Sequence, residues 1–185
     1  NKRIETDYYV EIAQDLIVQV ESNIESSRYI VKPLLGEISS ALSTLIADGY
    51  NAGHSLRSYA KSVHRLHLDI SILIEDTVTG KFELVIFEIK RVKTMGLTNL
   101  SQLIGYCLVS KAKFGILMNV DYSISDPFKI IINGDSDLTH MVRLLDGEEL
   151  SHRFGIMVWN STSKTIEYTA AGSIKSIPEL VMLMT

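Results

Sequence analysis

Cysteine is almost missing from this chain of 185 residues: Cys107 stands alone, set among apolar neighbours. It can form no internal disulfide and has no second thiolate with which to hold a metal. Proline occurs three times and tryptophan once, and there is no tandem repeat or low-complexity tract. Those scarcities exclude collagen-like, solenoid and disordered architectures. No apolar run approaches the ~20 residues that a membrane helix needs, and the opening NKRIETDYYV has no apolar signal-peptide core. The expectation is a cytoplasmic protein without membrane contact. Basic charge is also short, with 18 Lys and Arg against 22 Asp and Glu and a net charge of −4. That balance argues against coating nucleic acid by overall basicity and leaves only local patches.

What is present is an ordinary globular composition, 46% hydrophobic and 22% charged, of a length that suits one domain. Tyr9, Ile12, Ala13, Leu16, Ile17, Val20 and Ile24 recur at helical spacing and predict an amphipathic first helix. The stretch LLGEISSALSTLIADGY predicts a second, with Glu37 in its first turn and Gly49 as its stop. From Val63 the period becomes two: Leu66, Leu68, Ile70, Ile72 and Ile74 are expected on one face, and Arg65, His67, Asp69 and Ser71 on the other. TVTGK then reads as a turn and FELVIFEIK as the antiparallel partner. TNLSQLIGYCLVSKAK follows as a helix, FGILMNV and FKIIING as strands, and SDLTHMVRLLDGEEL as a helix. RFGIMVWN and TIEYT read as strands, and SIPELVMLM as a closing helix. The class is α/β, with a central mixed sheet flanked by helices, because a hairpin precedes a crossover helix.

One feature of KFELVIFEIKRVK conflicts with burial. Glu88 and Lys90 share one face of a strand that is otherwise apolar, where charge is costly. Asp69 falls beside Glu88 if the hairpin joins its polar faces. Two adjacent carboxylates raise each other's pKa unless a cation intervenes. Magnesium, or manganese in its place, takes hard oxygen ligands of this kind and keeps several waters. A lysine beside such a site can stabilise charge that builds on a phosphate. Alone, an E-x-K triplet is equally a strand-end salt bridge. The acid-free run HSLRSYAKSVHRLH adds Arg57, Lys61 and Arg65 before Asp69, and Arg91, Lys93, Lys111 and Lys113 extend the basic residues beyond it. Phosphate contacts of that kind fix nucleic acid in place without reading its sequence. A zinc site in HRLHLD is disfavoured, because residues 64 and 67 point to opposite faces of a strand.

Asp69, then Glu88-Ile89-Lys90 after a hairpin, then Gln102 and Tyr106 in SQLIGY, resembles the PD-(D/E)XK nuclease superfamily, including its RecB-like exonucleases. GEISSALSTLIADGY is similar to the first core helix of the archaeal Holliday-junction resolvases. The resemblance covers about Leu34 to Val120, and Leu68 stands where the family usually has proline. It implies a restriction-endonuclease-like αβββαβ core over residues 34–120, an added N-terminal helix within 1–30 and a C-terminal α/β extension over 121–185. It also implies that Asp69, Glu88 and the Ile89 carbonyl hold Mg²⁺ or Mn²⁺, with Glu37 as an accessory ligand. Lys90 would be the catalytic lysine, and Gln102 would orient substrate or that lysine. The expected partners are DNA and a second copy in a homodimer, with no organic cofactor. An archaeal or archaeal-virus source, hence the host cytoplasm, goes with the resolvase likeness. The competing expectation keeps the fold without catalysis: a nucleic-acid-binding or assembly module in which Asp69, Glu88 and Lys90 form an ion network.

Overall fold

A computed structural model describes residues 2–145 and 147–185, with side chains from Tyr8 onward. The elements run α1 (Lys2–Glu21), β1 (Tyr29–Glu37), α2 (Ile38–Ala47), α3 (His54–Ser62), β2 (His67–Asp76), β3 (Phe82–Lys90), α4 (Leu97–Ser110) and β4 (Phe114–Val120). They continue with α5 (Asp126–Gly134), a short 3₁₀ turn at Ser136–Leu138, β5 (His140–Leu145), β6 (Glu148–Asn160), β7 (Thr165–Gly172) and α6 (Ile177–Met184). The result is an α/β protein built on one mixed, open sheet of seven strands in the order β1-β2-β3-β4-β6-β5, with β7 also pairing β6. The strands β1, β2 and β3 are antiparallel neighbours, whereas β3, β4 and β6 run parallel. A parallel neighbour requires a crossover, and α4 supplies it between β3 and β4. All seven residues of β4 are buried, as expected for a parallel strand covered on both sides.

Two apolar layers hold the sheet. One face packs Ile70, Ile72, Ile74, Val85, Phe87 and Ile89 against Ile12, Leu16 and Val20 of α1 and Leu180 of α6. The other packs Leu73, Leu84, Ile86 and Leu117 against Leu42, Leu56, Leu103 and Phe128 from α2, α3, α4 and α5. Cys107 belongs to this second layer. A Cβ on Gly115 would meet its sulfur at 2.8 Å, and burial pushes its thiol pKa well up, so it acts as a packing group.

Several expected elements differ. Leu34 to Glu37 close the edge strand β1 instead of opening a helix; Pro33 sits within it, where an edge strand tolerates the missing N–H. FKIIING is the helix α5, begun by Pro127 and burying Phe128 and Ile132 one turn apart. Of the expected helix over 136–150, Ser136–Leu138 is the 3₁₀ turn and the part from His140 belongs to the hairpin of β5 and β6, apart from Asp146, which lies outside the described residues. Residues 54–62, to which the sequence assigned no element, form the helix α3.

β2 departs from simple alternation near Asp69. Leu35 faces Ile70 and Gly36 faces Leu68, so Asp69 is an extra residue, and Gly36 takes φ +77° beside it. The bulge turns Leu68 to the layer of Leu73 and Ile86, opposite Ile70, Ile72 and Ile74. The expected single apolar face from Leu66 to Ile74 is therefore split. Its expected polar face is covered as well, with Ser71 buried.

A second irregularity gives a stability prediction. Ile156 faces Ala171 while Met157 faces Tyr168, and Ala170 is held at φ +56° between them. The left-handed conformation strains a residue with a Cβ, and Ala170 is exposed, so no packing is lost with its methyl. Ala170→Gly is expected to stabilise the protein by about 0.5–1 kcal/mol, read as a higher urea midpoint at unchanged slope.

Candidate active site at the ends of β2 and β3

The β2–β3 ladder runs to Ile70 opposite Phe87, one residue short of Asp69 and Glu88, whose charges are close enough to act on each other. The ladder gives way there to a side chain: Ile89 N–H donates to Asp69 Oδ2 at 2.8 Å. Glu88 is only 2% exposed, and Lys90, two residues on along the same face, donates from Nζ to its carboxylate. Asp69 and Lys90 are partly exposed, so the group has a closed floor at Glu88 and an open rim.

The electrostatics follow from that burial. Desolvation pushes the Glu88 carboxyl above its usual range, Lys90 pulls it back, and the nearby Asp69 charge pushes it up again. Burial outweighs the lysine, so this is a carboxylate short of positive charge.

Glu37 lies at the same end of the sheet, opposite His67 in the β1–β2 ladder. It is the last residue of β1 and the residue that precedes α2, not a first-turn helical residue. Its carboxylate accepts from Ser39 Oγ at 2.5 Å and Ser40 Oγ at 3.2 Å, with Arg65 Nε 4.0 Å away. The Ser39 hydroxyl bond is the main cause that holds Glu37 below its ordinary pKa. Ile38 N–H donates to the Leu66 carbonyl at 3.0 Å, tying the start of α2 to the segment leading into β2.

Gln102 and Tyr106 share one face of α4, as their spacing predicts, and Gln102 Nε2 donates to the Tyr106 hydroxyl at 2.9 Å. Both engage each other rather than Lys90.

The expected phosphate-binding residues divide. Arg57 and Lys61 lie one turn apart on α3, on an exposed edge lining a groove of about 410 Å³ with Ser43, Ile46 and Ala47 of α2. The Arg65 side chain is 88% exposed where the chain passes from α3 to β2, and Lys93 is exposed after β3. Arg91 is engaged elsewhere, bonding Asp121 at 2.9 Å and stacking on the Tyr8 ring at 5.3 Å. Lys111 and Lys113 precede β4, at the end of the sheet remote from Lys90, and Lys113 pairs with Glu83. They do not extend the patch.

One residue was missed by the sequence reading. Asn119 faces Lys90 across the β3–β4 pair and is fully buried. Its amide makes two bonds to one backbone unit: Nδ2 donates to the Val92 carbonyl at 2.9 Å, and Oδ1 accepts from Val92 N–H at 3.1 Å. The available signal was a single amide in the otherwise apolar FGILMNV.

Among the described residues no three Asp, Glu, His or Cys side chains form a metal cage. Mg²⁺ needs fewer, since one or two carboxylates, backbone oxygen and water commonly complete its shell. Asp69, Glu88 and the Ile89 carbonyl are a donor set of that hard kind, and the charge-deficient Glu88 fits it. No family model, curated protein or solved structure matches this chain.

Proposed function

We propose that the chain is a metal-dependent nuclease of the PD-(D/E)XK type, hydrolysing phosphodiester bonds in DNA. The observation that carries the reading is Glu88, a buried carboxylate at a strand end, set between a second carboxylate and a lysine next to a β-bulge. Bulges near strand ends commonly re-aim side chains at active sites. The reading is supported by the order α1, β1, β2, β3, α4, β4, which can be likened to αβββαβ when α1, expected as an addition, is taken as the first helix in place of the one expected from Leu34, and α2 and α3 as an insertion after β1.

Asp69, Glu88 and the Ile89 carbonyl are the groups that would hold Mg²⁺ or Mn²⁺. Such an ion supplies a water of lowered pKa and a counter-charge for a phosphate. The Lys90 ammonium, held at the rim by Glu88, would offset the negative charge that grows on phosphate oxygens. Hydrolysis adds water across one P–O ester bond, giving a phosphomonoester and an alcohol. Arg57, Lys61, Arg65 and Lys93 hold the strand by its phosphates, so binding should weaken steeply with salt.

The test is incubation of the full chain with branched, single-stranded and linear DNA in Mg²⁺ or Mn²⁺. Asp69→Asn is expected to lower cleavage about 10²–10³-fold, matching the several kcal/mol that a misheld metal forfeits. Cleavage that is unchanged removes Asp69 from the reaction.

A second reading rests on the same residue. The Glu88 floor is closed to solvent and its carboxylate already bonds Lys90, as a structural ion network would require. On that reading the chain is a nucleic-acid-binding or assembly module, and the unaltered protein neither cleaves DNA nor binds the metal.

A further inference from the structure

We propose that Asn119 is a positioning residue for Lys90, locking the chain just beyond the lysine by replacing the strand pairing that ends there. The assignment rests on the reading of Lys90 as a working group of the site, and its geometry stands apart from any cleavage. The parallel ladder between β3 and β4 stops at the pair Lys90 and Asn119. Past that point no backbone of β4 pairs with β3, and the chain would be free to swing away from the sheet. Instead, the Asn119 amide reproduces one donor and one acceptor of a strand, taking the Val92 N–H at 3.1 Å and giving to the Val92 carbonyl at 2.9 Å.

Burial makes this clamp stiff. Asn119 is 0% exposed, so water cannot take the place of either bond without opening the layer. The clamp spans the two residues after Lys90 and so fixes the direction in which the lysine leaves the strand. A side chain with four rotatable bonds otherwise samples many rotamers. Here its ammonium is directed to Glu88, with about a fifth of the side chain still exposed at 21%. The choice of asparagine is explained by the same pair of bonds. Aspartate offers no donor at neutral pH and would turn a carboxylate toward the Val92 carbonyl; alanine offers neither group.

Two measurements decide the matter, and neither uses cleavage. In the unaltered protein, amide hydrogen exchange at Val92 is expected to be slowed as in a strand interior, although Val92 lies outside the ladder. Exchange at the rate of an exposed loop overturns the proposal, and this readout does not depend on any variant folding. In Asn119→Asp and Asn119→Ala, labelling of Lys90 by an amine-reactive reagent, measured against exposed Lys93 in the same sample, is expected to rise about tenfold, the loss of one buried bond. A purely structural role would lower the melting temperature and leave that ratio unchanged, which overturns the proposal. A raised ratio combined with cleavage indifferent to Asp69→Asn would keep the positioning role and reject the nuclease reading. An unchanged ratio with cleavage lost in Asp69→Asn would do the reverse.

Discussion

Lys90→Ala is expected to cost the fold about 3–5 kcal/mol at neutral pH, while the double substitution Glu88→Leu with Lys90→Met is expected to leave stability equal or raised by about 1–4 kcal/mol. The asymmetry follows from desolvation. Glu88 is 2% exposed, and removing the one charged donor it has among the described residues leaves a buried carboxylate without a counter-charge. Replacing both groups by apolar side chains of similar size removes the charge as well as the pair. Because Lys90 keeps some contact with water, the single substitution should fall toward the lower end of its range. Urea unfolding of the two variants beside the parent checks the figures. The cleavage assay then separates the readings, because the double variant should be well folded and inactive. A double variant that still cleaves DNA places the chemistry elsewhere. One that loses several kcal/mol shows that the pair holds the fold itself.

A divalent metal is expected to stabilise the protein by about 2.7 kcal/mol at a hundredfold excess over its Kd, and to do so more strongly as pH rises. The sign comes from Glu88. Burial raises its pKa in the folded state above that of the unfolded chain, so the folded protein favours the protonated form. Without metal, Glu88 therefore makes stability fall as pH climbs from the unfolded pKa through the folded one. Metal binds the ionised carboxylate and opposes that loss, so its benefit should appear over the same interval. Glu88→Gln should remove both the Glu88 share of the slope and the metal effect. Unfolding curves with and without Mn²⁺ between about pH 4 and pH 8 would show the pattern. Equal stabilisation of the parent and Glu88→Gln would place the metal at another site.

The parts of this fold that could be read in advance share one property: their apolar period was long and unbroken. The hairpin of β2 and β3, the helix α4 and the buried strands β4 and β6 carry such patterns, and the hairpin brought Asp69 close to Glu88. β1 was hidden because Leu34, Ile38 and Leu42 keep a spacing of four across the junction of a strand and a helix. FKIIING failed for the usual reason that a short apolar run fits either state, and only the Phe128 and Ile132 contacts decide it. MVRLL and EEL look helical, but the sequence between them, Asp-Gly, is of the type that favours hairpin turns, and Gly147 takes φ +87°. The bulge at Asp69 was beyond reach because a one-residue slip leaves no mark in an alternating pattern; only the partner strand reveals it. The Arg91 pair with Asp121 and the Asn119 clamp on Val92 join residues about thirty positions apart, and only tertiary structure brings them together.

The long excursion between β1 and β2 also bears on how the chain reaches this state. β2 and β3 are joined by a turn at residues 77–81, whereas β1 reaches the same sheet only after residues 38–66 have built α2 and α3. Loop closure costs more for the longer path and contact order slows such pairing, so the β2–β3 hairpin is expected to form first and the edge strand to dock late. Until β1 arrives, the backbone edge of β2 is open along Ile70, Ile72 and Ile74 and can pair with another chain. Pro33 does not protect that interval, because it blunts the edge only after β1 has closed over it.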